Sequence, residues 1–187
     1  MIITICNGKG GAGKTTLTVL LACAFTDAGR NVAVLDRDPQ ATASRWIQES
    51  TGIKLAQEGE SYDILLIDTP PRLDSPLLVE SLQRSDKAVL ISSPSPADLW
   101  TSQDTAKIIK QHLPNPEKVR LLFNQVQKNT LLGRGLESMA EQIGVPRFEN
   151  HLSRKQAYQH AALLGWNALN TETRQEIFKV ALEIATL

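Results

Sequence analysis

A glycine-rich run that also carries two lysines and two threonines is the strongest chemical signal in the sequence. It reads Gly8-Lys9-Gly10-Gly11-Ala12-Gly13-Lys14-Thr15-Thr16 and lies between an apolar segment and a helical pattern. Glycines at this spacing let the backbone aim successive N–H groups at an anion, and the N-terminus of the following helix adds its positive dipole end. The pattern G-x-x-x-x-G-K-T therefore predicts a nucleotide-binding phosphate loop, with Lys14 on the β- and γ-phosphates and Thr15 on Mg²⁺.

The loop contains a second lysine, Lys9, five residues before Lys14. One interpretation is an ordinary solvated lysine. The other is that Lys9 reaches a phosphate from a different direction, for instance across a dimer interface. The residues alone leave both interpretations open.

Carboxylates follow two apolar segments further along the chain. Asp36 and Asp38 come after the segment 31–35, and Asp68 comes after the segment 62–67. An open parallel sheet binds its ligands at the carboxyl ends of its strands. Carboxylates placed there hold Mg²⁺ through water or orient the water that attacks a phosphate. For Asp38 there is an alternative, which is to cap the helix that begins near Pro39.

Short apolar segments alternate with helical patterns along the whole chain. This order is typical of a parallel sheet covered by helices on both faces, so we predict one α/β domain of the P-loop NTPase class over residues 1–187. The predicted strands are 2–7, 31–35, 62–67, 87–92, 119–124 and 145–148. The predicted helices are 14–28, 39 to beyond 46, 74–85, 95–112 (opened by a capping box at 95–98), 131–143, 154–164 and 171–186.

The composition is that of an ordinary globular protein. The chain has 187 residues, of which 42% are hydrophobic and 21% are charged, with 20 basic and 20 acidic residues. These values exclude a disordered tail or a fibrous repeat. The longest apolar run, 17–25, is too short to span a bilayer, and no secretory signal precedes it, so we expect a cytoplasmic protein. Cys6 and Cys23 are interpreted as small buried thiols.

The motifs resemble those of the ParA/MinD family of deviant Walker ATPases. The family signature KGGxGKT is present as KGGAGKTT at 9–16, and LDRDPQAT at 35–42 is similar to the second family motif. YDILLIDTPP at 62–71 is similar to its Walker B strand and second switch. The likeness covers nearly the whole chain and is best for the short ParA subgroup of plasmid partition ATPases. That subgroup lacks an N-terminal helix-turn-helix extension, for which the strand starting at Ile2 leaves no room.

The resemblance implies a set of roles for the candidate residues. ATP and Mg²⁺ are the expected cofactors, and Lys9 is expected to contact the nucleotide bound to the other subunit of a homodimer. Asp38 would position the attacking water, and Asp36 and Asp68 would belong to the metal shell. Asn124, at the end of its strand, would read the adenine base through its amide; a turn-forming asparagine is the alternative there.

Basic residues are concentrated in the second half of the chain. Residues 1–99 carry nine basic against twelve acidic residues, whereas residues 100–187 carry eleven against eight. A solvated face explains such a bias, and so does a surface for non-specific double-stranded DNA, which the resemblance implies. The candidate DNA contacts are Arg147, Arg154 and Lys155. No recognition-helix motif is present, so sequence-specific readout is not expected.

Taken together, these features predict an ATPase whose ATP-bound dimer binds nucleoid DNA and is released by hydrolysis. A ParB-like or other adaptor protein would stimulate that hydrolysis, and a plasmid or chromosome would be the cargo. Three alternatives remain: a relative that positions a carboxysome or chemoreceptor cluster, a MinD-like membrane switch, and a metabolic enzyme of the same superfamily. The last helix is expected to pack on the core, and no stable membrane anchor is expected.

The resemblance weakens between residues 46 and 62. Relatives have a strand and a helix there, whereas only 53–56 has a strand-like pattern and 57–61 is too short for a helix. We therefore expect one covering helix to be missing, with a surface either left exposed or used differently.

Overall fold

Six parallel strands form one sheet, which confirms the predicted α/β class. The computed structural model describes residues 1–49 and 52–187. The strands are β1 (Ile2–Cys6), β2 (Val32–Asp36), β3 (Lys54–Leu55), β4 (Ile64–Asp68), β5 (Lys87–Ser92) and β6 (Val119–Phe123). Their order is β3-β2-β4-β1-β5-β6, and every neighbouring pair is parallel. The carboxyl ends of all strands therefore lie on one edge, where the predicted site residues are.

Helices cover both faces of this sheet. They are α1 (Lys14–Asp27), α2 (Thr42–Glu49), α3 (Pro76–Gln83), α4 (Pro96–His112), α5 (Leu131–Arg134), α6 (Leu136–Ile143), α7 (Gln156–Leu164) and α8 (Thr171–Thr186). One core contains α1, α2, α7 and α8 packed on the odd-numbered residues of β1. The other contains α3, α4 and α6 packed on the opposite face. Because α1 lies between the sheet and α8, every residue of the apolar run 17–25 is buried.

Three predicted elements differ from the structure. Pro39 lies in a turn before α2, because the chain reverses at Ala41, whose φ is 53°. The helix predicted at 131–143 is two helices that meet at Gly135, the first of them capped by the hydroxyl of Thr130. The strand predicted at 145–148 is reduced to a single bridge between Leu121 and Arg147.

Residues 52–63, between α2 and β4, contain no helix, as predicted, but the sheet is not left open. Ala33, Leu65 and Ile67 are buried on the face where a helix would lie. Ala56 and Tyr62 of the connection pack against them. The Tyr62 hydroxyl accepts a hydrogen bond from the Gln57 N–H at 2.9 Å and donates one to Glu60 at 2.8 Å, which holds this short connection in place.

The last helix packs on the core, which confirms the prediction. Ile177, Val180 and Ile184 are buried in α8, and Lys87 and Lys118 donate hydrogen bonds to carbonyl groups at its C-terminal end. Of the helices that the structure describes, none is long and apolar enough to cross a bilayer.

Both thiols are free and buried, as predicted. Burial raises the pKa of Cys6 and that of Cys23 to about 12, so neither sulfur is reactive near neutral pH.

Candidate functional site

A cleft of about 460 Å³ lies at the carboxyl edge of the sheet. The glycine-rich loop between β1 and α1 forms its floor. Asp38, Pro71 and Asn124, which follow three other strands, also line it. The remaining wall comes from the segment 152–159, in and before α7. The parallel sheet thus brings together residues that are far apart in sequence.

The N-terminus of α1 faces this cleft without a side-chain cap. Its N-cap, Gly13, is left-handed with φ 98°, and among residues 1–49 and 52–187 no side chain accepts a hydrogen bond from the first turn. A Cβ atom at Gly13 would collide with the side-chain amide of Asn124, so only glycine fits there. Uncapped N–H groups at a helix N-terminus form a site for an anion. The residues present therefore fit a phosphate group.

Lys14 is a buried cation in the floor of the cleft. Its side-chain nitrogen donates a hydrogen bond to the Lys9 carbonyl at 3.0 Å. Within the part of the chain that the structure describes, it forms no ion pair with a carboxylate. Burial lowers its pKa, and the nearby charge of Asp68 partly offsets this effect. A buried ammonium without an ion pair is costly, so the site favours an incoming anion.

Asp68, at the end of β4, is fully buried beside α1. It accepts a hydrogen bond from the Thr15 hydroxyl at 2.7 Å. Burial raises its pKa to about 7, against the opposing effect of the Thr15 hydrogen bond. Thr15 and Asp68, two predicted metal-site residues, are thus in contact. Together they provide the hydroxyl and carboxylate oxygens that Mg²⁺ accepts.

We expect the raised pKa of Asp68 to make the free protein less stable as the pH rises from about 4 to about 7. The folded protein keeps a proton that the unfolded chain, with a carboxyl pKa of 3.8, releases in this range. The contribution of this group to stability falls through the window and is constant above it. Urea unfolding between pH 4.5 and 8 should show this fall, and Asp68→Asn should flatten it. Identical profiles for the two proteins would contradict the prediction.

Asp36 and Asp38 organise the turn between β2 and α2. Asp36 accepts hydrogen bonds from the backbone N–H groups of Asp38 at 3.0 Å and Ser44 at 2.8 Å, so it is Asp36 that reaches the first turn of α2. Asp38 accepts one from the Gln40 N–H at 3.0 Å and lines the cleft. The helix-capping alternative for Asp38 is therefore wrong.

No ready-made metal cage accompanies these carboxylates. Among residues 1–49 and 52–187, no three histidine, cysteine or acidic residues are grouped closely enough to hold a metal ion. Mg²⁺ is usually bound by one or two protein groups together with phosphates and water.

Asn124 packs beneath the phosphate loop. Its amide nitrogen donates to the Ala12 carbonyl at 3.0 Å, and its oxygen accepts from the Gln125 N–H at 2.9 Å. One N–H and one oxygen lone pair of the Asn124 amide are left for another partner. The contact with the loop is therefore observed, whereas recognition of the adenine base stays a prediction.

The Lys9 side chain does not line the cleft of its own chain. It contacts a residue whose role the sequence did not indicate. Its side chain forms an ion pair with Asp98, in the first turn of α4, which also accepts a hydrogen bond from the Ser93 hydroxyl at 2.5 Å. The capping box predicted at 95–98 is therefore wrong, because neither member caps the helix through its side chain. The sequence signal that could have indicated this partner is a polar face of the helix, formed by Asp98, Ser102 and Thr105.

The three candidate DNA contacts have different surroundings. Arg147 forms an ion pair with Glu137, and Lys155 forms ion pairs with Glu172 and Glu176. Arg154 is exposed, lines the cleft, and belongs to no ion pair in the described chain.

The Lys155 contacts help to build the cleft wall. Glu176 also accepts hydrogen bonds from the hydroxyls of Ser153 at 3.0 Å and Tyr158 at 2.6 Å. The sequence did not indicate that the segment 152–159 belongs to the nucleotide cleft.

Known proteins with similar sequences and folds are consistent with this geometry. A curated protein of Gloeobacter kilaueensis, "Maintenance of carboxysome distribution protein A", is 34% identical over 205 residues, covering 98% of this chain and 93% of its own. The apo form of McdA from Cyanthece has a similar fold, with a TM-score of 0.82 and 13% identity over 98% of both chains. So does the septum site-determining protein MinD of Pyrococcus horikoshii complexed with Mg-ADP, with a TM-score of 0.76 and 20% identity over 98% of this chain and 95% of that one.

A family model, the CobQ/CobB/MinD/ParA nucleotide binding domain, matches residues 3–165, which include the loop, both aspartate motifs and most of the cleft wall. The chain therefore belongs to the CobQ/CobB/MinD/ParA family of nucleotide-binding domains.

Proposed function

We propose that the chain is an Mg²⁺-dependent ATPase that switches between a monomer and an ATP-bound homodimer. The placement of Lys9 is the observation that carries this proposal. Lys14 already occupies the floor of the cleft, whereas the ammonium of Lys9 lies on Asp98, away from the lining of the same cleft. A phosphate contact by Lys9 therefore calls for the nucleotide of a second subunit.

Different residues of the cleft would bind the phosphates, bind Mg²⁺ and orient the attacking water. The uncapped first turn of α1 and Lys14 would hold the phosphates, and Thr15 with Asp68 would hold Mg²⁺. ATP supplies the phosphoryl bond whose hydrolysis resets the switch. Asp38, whose carboxylate accepts a local hydrogen bond from the Gln40 N–H, would orient the attacking water by accepting a hydrogen bond from it.

We further propose that the cargo is a protein assembly, of the kind that the carboxysome-distribution relative serves. That relative matches this chain over almost the full length of both proteins, which favours the protein-cargo alternative over the plasmid cargo first predicted. Deleting the gene in its host would separate the two. Mispositioned protein bodies with normal plasmid retention would support this cargo, whereas plasmid loss would contradict it.

Non-specific binding to DNA is the third part of the proposal. Arg154 is the best candidate for a DNA phosphate contact because it is exposed and, within the part of the chain that the structure describes, forms no ion pair with a carboxylate. Arg147 and Lys155 would contribute less, since each would have to leave its ion pair first. A dimer would present two copies of this surface and so strengthen a weak contact.

DNA binding in three nucleotide states tests the switch. With nucleotide-free, ADP-bound and ATP-bound protein at fixed low salt, we expect binding of a 60-bp duplex only with ATP, and its loss in Lys9→Ala. Arg154→Ala should reduce the slope of log affinity against log salt by about 1.8 per dimer, two phosphate contacts at ~0.9 each. Nucleotide affinity of the same variant, measured separately, is the control because Arg154 lines the cleft. Equal DNA binding in all three states would contradict the proposal.

A further inference from the structure

A buried carboxylate holds Lys9 in the isolated chain. The Asp98 side chain is 3% exposed and the Lys9 side chain 41%, so the lysine reaches from the surface into an interior acid. The Ser93 hydroxyl donates to the other oxygen of Asp98 at 2.5 Å, and the N-terminal end of α4 lies beneath it. Lys9 and Ser93 thus bind the two oxygens of this buried carboxylate, which makes this a built site for one lysine.

The same face of α4 is joined to the two residues that precede Lys9. Thr105 accepts a hydrogen bond from the Gly8 N–H at 3.1 Å. Ser102 donates to Ser92 at 2.8 Å, and Asn7 donates to the carbonyl of Ile91 at 2.6 Å. The start of the phosphate loop is therefore attached to α4 and β5 through side chains. A change at Asp98 acts directly on the loop that carries Lys9.

We propose that Asp98 is a positioning residue that holds Lys9 back in the nucleotide-free monomer and releases it only when a nucleotide in a second subunit competes for it. This inference rests on the proposed dimer switch. Only the fraction of molecules with Lys9 released is competent to dimerise, so the ion pair raises the nucleotide concentration that dimerisation requires. Asp98 thereby keeps the dimer conditional on nucleotide.

Ser93 tunes the strength of this hold. After Lys9 leaves, Asp98 stays buried with the Ser93 hydroxyl and the α4 terminus as its remaining partners. Without the Ser93 hydroxyl the carboxylate would depend more on Lys9, because a buried charge requires hydrogen bonds. Removing Asp98 and removing Ser93 should therefore shift dimerisation in opposite directions, which a merely structural role of Asp98 would not do.

The hold itself is measured in the monomer. Pulse labelling with an amine-directed reagent, followed by mass spectrometry, reports the reactivity of Lys9 relative to the exposed Lys54 in the same molecule. We expect Asp98→Asn to raise the rate at Lys9 by at least about fivefold, the lower end of typical couplings between linked equilibria. Asp104→Asn, which removes an exposed carboxylate from the same helix, is the matched control and should leave Lys9 unchanged. An unchanged rate in Asp98→Asn would overturn the proposal.

The consequence is measured as dimerisation with a non-hydrolysable ATP analogue, by light scattering at fixed protein concentration. The analogue concentration at half-maximal dimerisation should fall by about fivefold or more in Asp98→Asn, rise in Ser93→Ala, and remain unchanged in Asp104→Asn. Asp98→Asn should have no effect in a Lys9→Ala background. An unchanged or raised midpoint in folded Asp98→Asn would overturn the inference. If the wild type formed no dimer, the proposed switch would be overturned instead. The Lys9 labelling experiment would then test by itself whether Asp98 holds Lys9.

Discussion

Replacing Lys14 by methionine should abolish nucleotide binding and, at the same time, stabilise the free protein. Lys14 is 6% exposed, and within the described part of the chain the one direct partner of its ammonium is a carbonyl, so burying its charge costs free energy that methionine of similar shape does not. We expect the free energy of unfolding at pH 6 to rise by about 1–2 kcal/mol. The affinity for ATP at pH 7.5 should fall at least ~100-fold, since two charge-assisted hydrogen bonds to phosphate are lost.

The opposite signs of these two effects are what make the Lys14 variant informative. Urea unfolding measures the first effect and titration calorimetry the second. Lys107→Met is the matched control, because Lys107 is an exposed lysine paired with Asp104, and neither quantity should change by more than about 0.5 kcal/mol. A Lys14→Met protein that is less stable than the wild type would show that Lys14 serves the fold rather than the ligand.

The Asp38→Ala variant should bind ATP normally and hydrolyse it far more slowly. Asp38 lines the cleft and accepts one local hydrogen bond, from the Gln40 N–H, so its removal should cost at most about 1 kcal/mol of stability. Loss of a group that orients the attacking water typically reduces the rate by ~10²–10⁴-fold. Phosphate release under single-turnover conditions measures this step apart from product release.

Asp74→Ala is the matched control for Asp38. Asp74 is an exposed carboxylate, paired with Arg72 in the loop after β4, and it does not line the cleft. Its loss should leave the hydrolysis rate within about twofold. If Asp38→Ala hydrolysed ATP at the wild-type rate, the water-positioning role of Asp38 would be contradicted.

The loop after β4 is in contact with the phosphate loop, so the two loops are physically coupled. A Cβ atom at Gly8 would lie 2.6 Å from the Leu73 Cγ atom, so glycine at this position permits the Leu73 side chain to cover it. Pro71 lines the same cleft. The loop after β4 therefore packs beside Gly8 and Gly10, the two glycines that flank Lys9.

Much of the site could be predicted from sequence because its signals are local. The spacing of glycines with Lys14 and Thr15 defines a loop and a helix start within nine residues. The continuous apolar strands indicate a parallel sheet, and a parallel sheet places Asp36, Asp68 and Asn124 on one edge. Predictions that depended on one residue of a turn were weaker: Pro39 lies outside α2 because Ala41 takes a left-handed conformation that no pattern indicates.

What the sequence determined by itself is therefore the class of fold and the edge of the sheet where the chemistry occurs, since both follow from hydrophobic periodicity and a short motif. Which polar groups meet at that edge was decided by the tertiary structure. Lys9 and Asp98 are 89 residues apart, and the contact between Thr15 and Asp68 spans 53. Such pairs form because strands β1, β4 and β5 lie side by side in the sheet, and neighbouring positions across strands leave no periodic trace along the chain.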